Sequence, residues 1–219
     1  MTQPTSQPNR SAIGGFSLRQ PRAGDVASLV RVHLQSFPGF FLTFLGPKFL
    51  KVFYGKTIER PDSICFVSVD SNEDVMGFVV GVTSQSQFFR RLLQNHLFSF
   101  GWASIGAVLR RPSIVPRLLR AFNRPRESTG RSADCLLMSL AVHPSAQGSG
   151  AGSTLVLEFL KEAGRRGVRA VSLTTDRVGN EGVQRFYESL GFRLDQTFQT
   201  AEGRQMNEYV HHLPQVPLG

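Results

Sequence analysis

The stretch "HPSAQGSGAGSTL", His143 to Leu155, places glycines at 148, 150 and 152. It follows the apolar run "CLLMSLAV" and precedes an amphipathic one in which Leu155, Val156, Phe159, Leu160 and Ala163 keep one helical face. Glycine weakens the interior of a strand or helix, so this concentration marks a sharp turn from a buried strand into a helix. A strand, glycine loop and helix in that order require an α/β arrangement. The loop also has a chemical reading. Glycines let successive backbone N–H groups converge, and the helix adds its positive end, which together suit a phosphate. A tight connection with no ligand is the alternative on spacing alone. Two phosphate motifs fail here. A P-loop needs a lysine before its Ser/Thr, and Gly152 is followed directly by Ser153 and Thr154. A dinucleotide fingerprint opens the first βα unit, whereas this loop comes late and with different glycine spacing.

The rest of the chain alternates around that unit. "GFSLRQ" reads as a first strand, and Asp25 can cap a helix carrying Val26, Leu29, Val30 and His33. "FPGFFLTFLGP" interrupts, and a second helix is expected over Lys48 to Arg60. "SICFVSVD" and "VMGFVVGVT" form an antiparallel hairpin across a polar turn. "VRAVSLTTD" is a buried strand, and Val183, Phe186, Tyr187 and Leu190 make another helical stripe. "GFRLDQTFQT" and "RQMNEYVHHL" close the chain as strands. Residues 86–126 fit no sheet pattern and read as two or three short helices. The expectation is a polar tail over 1–12 and a single domain over 13–219 that includes this insertion.

Apolar content of 41% supports a real core. Cys65 and Cys135 both lie in apolar runs and read as buried free thiols in a reducing, cytoplasmic setting. No stretch reads as a signal peptide or a membrane span. The net charge of +9 is uneven: Val75 to Arg126 holds eight arginines and no Asp or Glu. Basic and apolar residues interleave there. The readings are a helical lid or self-association surface, an acceptor pocket for an anion, or peripheral docking at an anionic membrane. Nucleic acid is disfavoured, because the segment holds no recognisable reader.

Gln147-x-x-Gly150-x-Gly152 resembles the acetyl-CoA pyrophosphate loop of the GCN5-related N-acetyltransferases, the GNAT family. "LMSLAVHPSAQGSGAGSTLVLEFL" is similar to that family's fourth strand, loop and third helix. "VSLTTDRVGNEGVQRFYESLGFR" is similar to its fifth strand, fourth helix and the Gly-Phe opening its sixth strand. The likeness holds over about 131–198, is loose over 15–82 and fails at 86–126. It implies a mixed, mostly antiparallel α/β (α+β type) sheet flanked by helices, with a helical insertion between strands 3 and 4.

The resemblance implies a chemistry as well. Acetyl-CoA is the co-substrate, with no metal, and a small-molecule amine is acylated by direct attack. Gln147, Gly148, Ser149, Gly150, Ala151, Gly152 and Ser153 would take the pyrophosphate. Backbone of Leu140 and Val142 would pair with the pantetheine arm, and Asn180 would bond the same arm. Backbone N–H groups of that strand would polarise the thioester carbonyl. Tyr187 would protonate the leaving thiolate, since a phenol with a pKa near 10 is still protonated at neutral pH. No side chain stands out as general base. His143, Asp134, Ser139, His211, His212 and a water chain are all open. An anionic acceptor such as a nucleotide-linked amino sugar would suit the arginines of 86–126. The rival reading is a non-catalytic acyl-CoA-binding or membrane-surface module that retains the fold. Phe37, Phe40 and Phe41 stand where the family often lines its acceptor site.

Overall fold

The computed structural model describes residues 15–38, 40–83, 133–200 and 203–214, with backbone alone for Phe41. The expected tail and the insertion at 86–126 lie outside the described residues. Seven strands form one sheet: β1 (Ser17–Arg19), β2 (Ser63–Val69), β3 (Val75–Val82), β4 (Cys135–Val142), β5 (Ala170–Asp176), β6 (Arg193–Gln199) and β7 (Gln205–His212). Their spatial order is β1-β2-β3-β4-β5-β7-β6. Every neighbouring pair is antiparallel except β4 and β5. Among the described residues, four helices flank the sheet: α1 (Val26–Ser36), α2 (Phe41–Ile58), α3 (Ala151–Arg165) and α4 (Glu181–Ser189).

The apolar stripes sort the helices onto two faces. Leu29, Val30 and Val32 of α1 join Phe49, Leu50, Phe53 and Tyr54 of α2 over one face, against Val67, Phe78, Val80, Leu136 and Ala141. Leu155, Val156, Phe159 and Leu160 of α3 join Tyr187 of α4 over the other, against Ile64, Val79, Leu137, Val171, Leu173 and Tyr209. Gly81 makes one of these contacts feasible. A Cβ there would stand 2.4 Å from the Phe159 ring and 2.5 Å from the Leu136 carbonyl oxygen, so α3 packs this closely only on a strand lacking it.

The second helix differs from expectation. It starts at Phe41, within the phenylalanine cluster, and is two helical pieces joined across Gly46, whose φ of 86° is non-helical. Leu45 is buried in the α1/α2 core beside Phe49, and Thr43 Oγ1 donates to the Phe37 carbonyl at 2.7 Å. Packing thus gives the cluster a helical turn that Gly46 and Pro47 obscure in the sequence.

Candidate active site at the opening of the sheet

The parallel pair is short. Only Cys135↔Val171 and Leu136↔Ser172 are in register, and beyond them β4 and β5 have no pairing. The β3–β4 register slips between Val80 and Gly81, which leaves Met138 as an extra residue opposite no β3 partner. Past that bulge, Ser139, Leu140, Ala141 and Val142 oppose Val80, Val79, Phe78 and Gly77. The His143 N–H reaches the Met76 carbonyl at 2.7 Å, so antiparallel alternation turns the backbone groups of Leu140 and Val142 away from β3 and toward the opening. The Val142 carbonyl is already engaged, by Ser36 Oγ at 3.2 Å and Gln147 Nε2 at 3.4 Å.

The glycine loop sits at the end of this strand. Pro144–Ala146 is a 3₁₀ turn, and Gly148 and Gly150 follow with φ of 78° and 86°. Left-handed residues in such a run turn N–H groups into one concavity. Gly150 is the cap of α3. Thr154 is the first residue whose N–H closes a helical bond, onto the Gly150 carbonyl at 3.0 Å, so the N–H groups of Gly152 and Ser153 have no helical acceptor. Ser149 Oγ donates to the Ala146 carbonyl at 2.6 Å and braces the turn. Gln147 contributes its side chain to the strand end, through Val142, and the loop is left to its backbone. A Cβ at Gly152 would lie 3.5 Å from Val142 and 3.6 Å from Phe186, so the start of α3, the end of β4 and α4 converge there. The loop's spare N–H donors, at an open helix start beside this convergence, fit a pyrophosphate.

Asn180 is the cap residue of α4, but its side chain makes no capping hydrogen bond. Tyr187 lies two turns later, 6% exposed, edge-on to Phe186 at 5.1 Å and Phe192 at 5.5 Å. It belongs to the cluster against which Leu140 and Val142 pack. Burial pushes its phenol well above the ordinary tyrosine value.

The base candidates separate. Asp134 sits at the closed end of β4, paired with Arg169 at 3.0 Å, and that hydrogen bond holds its carboxyl below the usual range. His143 caps the 3₁₀ turn, its Nδ1 2.7 Å from Ser145 Oγ and 3.2 Å from Ser145 N. His211 is packed against Phe192, and burial lowers its pKa. His212 is exposed at the end of β7, paired in register with Ala170 at the closed end of β5. Asp134, His211 and His212 lie at the closed end of the β4–β5 pair, and His143 lies at the open end of β4. Ser139 lies just past the bulge, opposite Val80.

On the α1/α2 face a rim of aromatics meets the β6–β7 turn. Phe40 and Phe44 are 43% and 46% exposed. Phe37 lies 5.2 Å from Phe40, and the Arg204 guanidinium stands 5.6 Å from the Phe40 centroid. Arg204 also grips Asp176, at the end of β5, at 2.7 Å. Sequence patterning did not single out Arg204 or Asp176, because their pairing spans two loops. No group of three metal-ligating side chains occurs among the described residues, and no described helix is long and apolar enough to cross a membrane.

These features define a class of fold: a mostly antiparallel sheet opened at its one parallel pair, with an anion cradle at the opening. The sequence matches the acetyltransferase (GNAT) family over residues 29–192, and the chain belongs to that family. Family enzymes use acetyl-CoA as co-substrate. Among solved structures, a histone acetyltransferase HPA2 and related acetyltransferase from Corynebacterium glutamicum superposes with a TM-score of 0.61 at 17% identity, over 94% of this chain and 99% of that one. The ribosomal-protein-S18-alanine N-acetyltransferase of Escherichia coli gives 0.57 at 13%, over 93% and 97%. A polyamine N-acetyltransferase of Drosophila melanogaster, which forms N-acetylagmatine, gives 0.57 at 19%, over 90% and 100%. No curated protein matches the sequence.

Proposed function

We propose that the protein transfers an acetyl group from acetyl-CoA to the amine of a small-molecule acceptor. The observation that carries the reading is the opening of β4 from β5 directly beside the glycine cradle. The loop amides from Gly148 to Ser153 hold the pyrophosphate, with the start of α3 favouring its charge. Leu140 offers its outward-facing backbone, and Val142 its N–H, to the amides of the pantetheine arm, and the uncommitted Asn180 side chain bonds the same arm. Acetyl-CoA supplies an activated acyl carbon on a thiol leaving group. The Leu140 and Val142 N–H groups stabilise charge on the acyl oxygen. The acceptor nitrogen bonds to that carbon as the carbon–sulfur bond breaks, and Tyr187 gives its proton to the departing thiolate. The amine loses a proton to water, and water returns one to Tyr187, so that the net reaction is amide and free thiol from amine and thioester.

The aromatic rim of Phe37, Phe40 and Phe44 favours an acceptor with an apolar body beside its amine, more than the nucleotide-linked sugar that the arginine-rich segment alone brings to mind. The test is thiol release from acetyl-CoA with agmatine, 2-phenylethylamine and an alanine-initiated hexapeptide as acceptors. Enzyme-dependent release with agmatine or 2-phenylethylamine supports the reading, and release with the hexapeptide alone replaces the small-molecule acceptor by a polypeptide one. Tight acetyl-CoA binding without transfer to any favours the non-catalytic acyl-CoA-binding module.

A further inference from the structure

Among the described residues, one side chain crosses the mouth of the opening. β4 and β5 part beyond Leu136 and Ser172, and their far ends are tied to different parts of the chain. At the end of β4, the Val142 carbonyl accepts from Ser36 Oγ at 3.2 Å, which anchors the α1–α2 junction with its Phe37 and Phe40. At the end of β5, the Asp176 side chain lies on the same α1/α2 face, because Val171 and Leu173 fill the α3/α4 face and side chains alternate along a strand. The Arg204 guanidinium joins the two. Its Nη2 donates to both carboxylate oxygens of Asp176 at 2.7 Å and its Nε to Oδ1 at 3.2 Å, while its central carbon stands 5.6 Å from the Phe40 ring centroid. The backbone beneath is held as well. The Arg204 N–H reaches Thr200 Oγ1 at 3.3 Å, the Thr200 N–H reaches the Arg204 carbonyl at 2.8 Å, and the Arg177 N–H reaches the Gln205 carbonyl at 3.0 Å.

This is a cation site with its cation built in. A carboxylate at one edge and an aromatic ring within about 6 Å are what an alkyl guanidinium or ammonium seeks. Arg204 takes both. Its side chain is half-exposed, so the bridge stands at the surface of the mouth, where an entering reactant meets it. The glycine loop and α4 hold the other face of the opening, which leaves the acceptor this side. An acceptor with a second cation finds the carboxylate neutralised, the Phe40 ring already beside a guanidinium, and a fixed positive charge between them. An acceptor with an apolar body finds the exposed rings of Phe40 and Phe44 instead.

We propose that Arg204 is a specificity-determining residue: it takes the place of a second cation at the acceptor mouth, so that the enzyme accepts monoamines with an apolar body and turns away guanidino amines and polyamines. The proposal rests on the transferase reading and narrows its acceptor class. Agmatine ends in an alkyl guanidinium, the same group as the arginine side chain. Removing the Arg204 side chain therefore opens a place of that shape against Asp176 and Phe40.

Steady-state kinetics test this at saturating acetyl-CoA, with 2-phenylethylamine, agmatine and the alanine-initiated hexapeptide as acceptors. Discrimination is the ratio of kcat/KM values for the first two, and that ratio does not depend on how much of a variant is folded. The wild type is expected to favour 2-phenylethylamine by about tenfold or more. Arg204→Ala should move the ratio about tenfold toward agmatine, the size of one charge-assisted hydrogen bond. Arg204→Ala/Asp176→Asn should lose that gain, because the carboxylate that would hold the guanidinium is gone. Arg204→Lys keeps a cation at the bridge and should stay within about threefold of the wild-type ratio. A wild type that favours agmatine, a ratio moved less than about twofold in Arg204→Ala, or a gain that persists in the double variant overturns the proposal alone. So does a wild type that acetylates only the hexapeptide. A wild type that binds acetyl-CoA and acetylates none of the three overturns it together with the transferase reading.

Discussion

Burial raises the Tyr187 phenol above the ordinary tyrosine value, so it stays protonated below about pH 10, which is the state a proton donor needs. Tyr187→Phe removes the proton and keeps the ring among Phe186 and Phe192. It should leave acetyl-CoA affinity intact and lower kcat about a hundredfold, the lower end for general acid catalysis. Thiol-release kinetics check this, and wild-type kcat in the variant removes the assignment. No alkaline loss of activity from Tyr187 is expected below about pH 10, the ordinary tyrosine value. That Asn180 opens α4 and Tyr187 lies on its buried face was legible in the sequence, because one helix determines both. The bulge at Met138 was not, because nothing in "CLLMSLAV" marks which residue is extra.

At the level of elements, the glycine loop and β4 were readable because strand, turn and helix each carry their own signal. The early parting of β4 from β5 carries no signal of its own, since no residue type encodes where two strands separate. The start of α2 was hidden by Gly46 and Pro47, which read as a stop although the chain resumes its helix beyond them. Two glycines make separable predictions. Gly81→Ala forces a methyl into the Phe159 ring and the Leu136 carbonyl, and should destabilise the fold by about 1–3 kcal/mol in denaturant unfolding. Gly152→Ala meets its neighbours at 3.5 to 3.7 Å, ordinary contact, and should keep both fold and acetyl-CoA binding.

For the whole molecule, buried titratable groups set how stability varies with pH. His33 is pushed down to about 4 from an ordinary 6.5, so it binds fewer protons folded than unfolded. The stability it contributes is complete above about pH 6.5 and is lost as pH falls through 4. Cys65 and Cys135 are pushed up to about 12 by burial. They bind more protons folded, so their contribution is complete below the unfolded thiol value, 9, and is lost as pH rises toward 12. Urea unfolding across this range should show stability falling at both ends, and His33→Gln should flatten the acid limb. A limb unchanged in that variant contradicts the assignment to His33.

The central claim is that the glycine cradle at the opening of the sheet binds acetyl-CoA. The direct test is thermal unfolding of wild type and Gly150→Glu with increasing acetyl-CoA. Gly150 has open space around it and a φ of 86°, so the substitution adds backbone strain and a carboxylate at the mouth of the cradle. A ligand that binds the folded state raises the melting temperature by mass action, by about 2.7 kcal/mol of stability at a hundred times its Kd. The account predicts a concentration-dependent rise in the wild type and none in Gly150→Glu, whatever its starting melting temperature. No rise in the wild type, or an equal rise in both, contradicts it.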